Sequence, residues 1–279
     1  MGLFGPKRPL DRDELDWQLA AFQWLLAEFG GVEAHRQRIL VDPMGEYFAD
    51  SQLTGAERGE ELFGEVKAIA GMEQWPTRLV ARQSPKGSYQ VNAFTHVQPI
   101  GTGAAGTYQL LPSGDNGWVA EIRYDVGLLA DPPALVATFA HELGHYLLAT
   151  ARHSFPGGED MHELLTDLTA VFMGFGIFLA NSARDYSAQQ LGVGGHMWQT
   201  RHQGYLSERA LVTGLVLSEY LAGRDPRDAR AFLKPYLAQD LDIALKWFAR
   251  RDVHADVAAV DLADYGVEAL PDPDEAQKA

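Results

Sequence analysis

The chain has no cysteine among its 279 residues. Disulfides are therefore excluded, and a reducing compartment is the natural setting. Positive charge is scarce as well: 23 Lys and Arg stand against 38 Asp and Glu, giving a formal net charge of -15. Such a field repels polyphosphates and anionic lipid heads, which argues against nucleic acid or a membrane as the main partner. Long apolar runs are missing too. The longest, Leu168 to Ala180, falls short of the about 20 residues a bilayer requires and carries Gly174 and Gly176, so it reads as a buried helix. No apolar signal core follows Lys7 and Arg8, because Asp11, Asp13 and Glu14 come next; Pro6 stands where a myristoylation signal has Ser or Thr. Neither an internal repeat nor a clear linker is present. These absences leave a globular, cytoplasmic, bacterial-type protein long enough for a sizeable core.

What is present is organised around residues 131–154. Asp131 can cap a helix, and Pro132 lacks only an N–H that would have no partner in the first turn. Leu135, Val136, Phe139, Leu143 and Leu147 then form an apolar stripe, and Pro156-Gly157-Gly158 closes the segment. Inside it stands His141-Glu142-Leu143-Gly144-His145. Two histidines four apart project from one helix face, so both imidazoles can reach one ion at about 2.0–2.1 Å. Glu142 flanks that face, where a carboxylate can take a proton from a water whose pKa zinc lowers to about 7. The competing reading is a helix that spells HExxH by chance, although buried histidines on such a face would still need partners.

A catalytic zinc wants three protein ligands and an open position. Downstream, Glu163 and Asp167 are also four apart and share a helix face, which Gly174 extends with room for close approach to the first helix. Glu163 then serves as third ligand, and Asp167 accepts Nδ1–H from one ligating histidine, fixing its tautomer. Taken alone, the pair reads more simply as the solvated acidic edge of a buried helix.

Together, His141-Glu142-x-x-His145 and Glu163-x-x-x-Asp167 resemble the gluzincins, the thermolysin-like branch of the zincin metallopeptidases, over roughly residues 118–181. The metzincin pattern would need glycine and histidine where Leu148 and Ala151 stand, and His153 lies outside it. The resemblance implies an α+β, zincin-like fold: an antiparallel or mixed sheet packed on the HExxH helix and a second metal-ligand helix, with a helical C-terminal portion. It implies Zn2+ as cofactor and a peptide or protein as substrate, with Glu142 as general base toward a metal-activated water. The strand at 118–125 would be the edge along which an extended substrate lies, unless it is a fully paired interior strand. His202 and Tyr205 are the nearest candidates for an oxyanion donor, though both read equally as surface or core residues. Two rival functions use the same side chains. One is a zinc-binding scaffold or regulator without turnover, the other a metal-free helical interaction module with a buried polar network.

Elsewhere, Asp11 and Glu14 predict a capped first helix with a stripe from Leu15 to Phe29, and residues 38–42 a short strand. Thr54 and Glu57 predict a capping box opening a helix that Gly71 stops. Strands are expected at 77–82, 88–97, 107–111 and 118–125, the last two joined as a hairpin by the Pro112–Gly117 turn. Gly101-Thr102-Gly103-Ala104-Ala105-Gly106 matches GxGxxG, but a strand follows it where a dinucleotide fingerprint would open a helix, so it is set aside. Further helices are expected at 207–221, 226–234 and 241–251. The division is an N-terminal helical extension at 1–75, a metallopeptidase domain at 76–269 and a disordered acidic tail at 270–279. Oligomeric state has no signature in the sequence.

Overall fold

Short side chains that accept a backbone N–H decide where several helices begin. The computed structural model describes residues 6–44, 46–48, 50–83, 89–92, 95–97, 106–113, 117–190 and 206–268, with the backbone alone for 89–92, 95–97 and 184–190. In α1 (Arg12–Glu28), Asp11 accepts from the Glu14 N–H at 2.9 Å. The short α2 (Gly31–Arg36) follows. In α3 (Gly55–Ile69), Thr54 holds the N-cap position but its side chain makes no capping bond, so the expected capping box does not form. Five strands come next: β1 (Thr77–Arg82), β2 (Tyr89–Asn92), β3 (Thr95–Val97), β4 (Gly106–Pro112) and β5 (Trp118–Asp125). A 3-10 turn leads into α4 (Pro132–Leu148), where Asp131 accepts from the Ala134 N–H at 3.3 Å. Then α5 (His162–Ala170) runs through a π-helical turn, Val171–Phe175, into α6 (Gly176–Gln190). Ser207 caps α7 (Glu208–Leu221), and α8 (Ala238–Phe248) and α9 (Val253–Ala258) complete an α+β chain.

The sheet is mixed. Its order is β1-β5-β4, with β1 parallel and β4 antiparallel to β5. The hairpin read from the turn residues is present, Pro112 pairing with Trp118 and Gly106 with Tyr124. β5, however, is the central strand. It has a partner on each side, so its backbone has no edge to offer, and among the described residues the edge nearest α4 belongs to β4. The single strand expected at 88–97 is two short strands, β2 and β3, paired antiparallel.

α4 is buried along nearly its whole length, between the sheet and the other helices. Ala120, Ile122 and Tyr124 of β5 are almost fully buried, and the Tyr124 ring meets Phe139 of α4 edge-on, with centroids 5.4 Å apart. From the other side come Phe22, Trp24 and Leu25 of α1, Leu165 and Leu168 of α5, and Leu211 and Leu215 of α7, all in the same hydrophobic cluster. The helical stretch from Glu159 to Ala183 is long and apolar enough by composition to cross a membrane, but 94% of that window is buried inside the protein.

Three local expectations are corrected. Residues 38–42 form no strand; Val41 is held against the π-turn, its N–H donating to Gly174 O at 3.0 Å. Gly174 therefore serves a different neighbour from the one expected. Its φ of 104° marks the kink, and a Cβ there would collide with the Ile39 carbonyl oxygen. The glycine that lets α4 and α5 approach is Gly144 of the HExxH motif, where a Cβ would sit 3.1 Å from Thr166 O. Finally, 226–234 is no α-helix but a 3-10 segment, Pro226–Ala231, with a second 3-10 turn at Pro235–Leu237. Proline at each start removes an N–H and favours such short turns.

Candidate metal centre

The cap at Asp131 and the stripe that buries α4 fix the rotation of the helix, and with it the direction of His141 and His145. Their rings lie 4.8 Å apart, centroid to centroid. The turn after α4 reverses the chain so that Glu163 falls in the first turn of α5. Glu163 Oε2 lies 3.4 Å from His141 Nε2 and 3.6 Å from His145 Nε2. Ligands of a tetrahedral ion at 2.0–2.1 Å stand roughly 3.3 Å apart, so these separations suit one ion. One ligand atom from each of the three residues lies within 4.8 Å of the others, and the group can hold a metal ion. His141 is buried, His145 partly so, and Glu163 is exposed, which gives the site a closed side and an open one.

The far nitrogens explain why the near ones face each other. His141 Nδ1 donates to Asp167 Oδ1 at 2.9 Å, and Asp167 Oδ2 accepts the Leu206 N–H at 2.7 Å, tying the centre to the start of α7. Asp167 thus stands where the sequence placed it. Thr166 was missed. Its Oγ1 lies 3.3 Å from His145 Nδ1 and 2.8 Å from His162 O. The hydroxyl has one hydrogen, which goes to the carbonyl, so toward His145 it accepts; the network therefore puts the proton on Nδ1 and leaves Nε2 for a metal. A signal was available, since Thr166 is three residues after Glu163 and shares its face.

Charges in the centre are strongly perturbed. Burial would lower the His141 pKa, but hydrogen bonds to Asp167 and Glu163, with the charges of Asp167 and Glu142, outweigh it and raise it to about 10. Burial and the neighbouring His141 pull His145 down to about 3. The hydrogen bond from His141 holds Glu163 down at about 2. Burial pushes Glu142 up to about 7, reinforced by the Glu163 charge and opposed by His141 and Arg82. A carboxyl poised near neutrality can both accept and return a proton.

Around this core, the Tyr108 ring of β4 lies nearly parallel to His145, centroids 5.9 Å apart. His162, 5.0 Å from His145, is backed by a stacked Phe155. His153 takes no part; its Nδ1 pairs with Glu28. His202 and Tyr205 lie outside the described residues, as do residues 101–105 and the tail from 269.

Compared with protein-family models, with curated proteins and with solved structures, the chain matches none. The functional reading therefore rests on the centre itself. Two neutral-capable imidazoles and a carboxylate converge, a hydrogen-bonded partner orients each imidazole, and a second carboxyl, Glu142, is buried beside them.

Proposed function

We propose that the protein is a zinc-dependent metallopeptidase of zincin-like fold and gluzincin type. The observation that carries this reading is the convergence of His141, His145 and Glu163 with the buried Glu142 next to them. The donor set of two imidazoles and one carboxylate is one that catalytic zinc uses, and its open side leaves room for a water. When bound, zinc would supply Lewis acidity to a water and to the scissile carbonyl. Glu142 takes the proton of the attacking water and delivers it to the leaving amine. Asp167 and Thr166 hold the two imidazoles in register. The substrate-edge role, first read onto β5, falls to β4, whose outer backbone can pair with an extended peptide.

The decisive experiment pairs metal content with hydrolysis of a peptide library. The parent should carry near-stoichiometric zinc. Glu142→Gln should keep the zinc and lose hydrolysis by at least about 100-fold, whereas His145→Ala should lose both. A parent that binds zinc but cleaves nothing would support a scaffold or regulator. One observation favours a metal-free network: His141 already lies between Asp167 and Glu163 within hydrogen-bonding reach of both. Well-folded protein that takes up no metal when zinc is offered would establish that network instead.

A further inference from the structure

We propose that Gly106 seats the general base: the bare backbone at this position of β4 leaves the space that the Glu142 carboxylate occupies. The inference rests on the peptidase reading for its catalytic meaning, but its geometry stands independently. Gly106 closes the glycine-rich run that matched a nucleotide fingerprint, and that run is left without a role once the fingerprint is set aside. Its backbone is not left-handed, so conformation does not demand glycine there. Space does. A Cβ at 106 would lie 3.0 Å from the Glu142 carboxyl carbon, nearer still to Oε1, and 2.7 Å from Thr138 Cγ2.

Thr138 and the β4–β5 strand pair wall the seat. Thr138 and Glu142 are four apart on α4, so both face the same strand. The Thr138 hydroxyl turns back to donate to Ala134 O at 2.9 Å, which leaves its methyl group facing Gly106, second in closeness to the Glu142 carboxylate. On the other flank Gly106 pairs with Tyr124 of β5, which packs on Phe139, so the strand is pinned onto α4 and cannot easily yield. A methyl at 106 must then displace the carboxylate. A base misplaced by about 1 Å can lose about 100-fold in rate, while His141 and His145, held from α5 by Asp167 and Thr166, keep their places.

Gly106→Ala tests this in two ways. Against a cleaved peptide, kcat should fall about 100-fold with KM within about twofold, and zinc content measured by plasma mass spectrometry should match the parent. Without any substrate, thermal midpoints should show a sign reversal. Gly106→Ala should lower the midpoint of the parent, but in a Thr138→Ala, Glu142→Ala background it should leave the midpoint unchanged or raise it, because alanine in an unstrained strand reduces the freedom of the unfolded chain. An equal drop in both backgrounds, or parental kcat in Gly106→Ala, would overturn the proposal. A parent that cleaves nothing would remove the peptidase reading, and the thermal cycle, run also in a Glu142→Ala background alone, would still decide whether Gly106 makes room for Glu142.

Discussion

Thr166 shows how much a single hydroxyl can do when its one hydrogen is already committed. Because it donates to His162 O, it presents only lone pairs to His145 Nδ1 and holds that imidazole in the tautomer a metal needs. Thr166→Val keeps the shape and removes the acceptor. Metal affinity, read by competition with a chelator of known strength, should fall about tenfold, the lower end for such supporting groups, since the bond is neutral and 3.3 Å long. Thr166→Ser should restore it; unchanged affinity in the valine variant would leave Thr166 a packing residue. His141, Glu142 and His145 were legible from helical spacing; Glu163 and Asp167 shared a face by spacing, but read as part of a site only together with the HExxH motif. Thr166 shares the face of Glu163, but its role, like that of Gly106, takes shape only once α5 and β4 lie against α4. His153 illustrates the converse, a histidine close in sequence to the motif whose partner, Glu28, comes from α1.

At the scale of elements, the residues themselves placed α1, α3, α4, α7, β1 and the β4–β5 hairpin, but neighbours decided strand order and the hinge. Strand order cannot be read from one strand's own residues, so β5 could be taken for an edge until β1 and β4 were found on either side. Gly174 was read as a smooth patch on a helix face. It is the left-handed hinge between α5 and α6, and residues 39–41 dock on it through the Val41 N–H. Alanine at 174 would meet both an unfavourable φ of 104° and the Ile39 carbonyl. The cost should be at least about 2 kcal/mol. In a chain of this size that lowers Tm by roughly 4–8 °C, which calorimetry would register. A smaller loss would mean that the 39–41 segment shifts without resistance. Because the hinge lies on the helix that carries Glu163, the metal affinity of Gly174→Ala should fall along with its stability.

Across the whole molecule, the centre joins elements that are far apart in sequence: α4 and α5 through His141, His145 and Glu163, and the start of α7 through Asp167. Its protonation should therefore be visible in global stability. In metal-free protein the His141 pKa is raised to about 10 from an ordinary 6.5, so its contribution is complete below pH 6.5 and is lost as pH rises through 10. Glu142, raised from 4.5 to about 7, acts with the same sign at lower pH, its contribution fading from 4.5 upward. Chelator-treated protein should accordingly melt at progressively lower temperature between pH 6.5 and 10. Metal binding needs the neutral imidazole, so zinc competes with that proton and the loss should not appear in zinc-loaded protein. Free zinc at about 100 times its dissociation constant adds about 2.7 kcal/mol, or roughly 5–11 °C in Tm at this size. The gap between chelated and loaded melting curves should widen as pH climbs, because chelated protein alone loses the His141 contribution. Curves that coincide at every pH would mean that Asp167 and Glu163 hold His141 as a proton-bridged network, with no metal in the folded state.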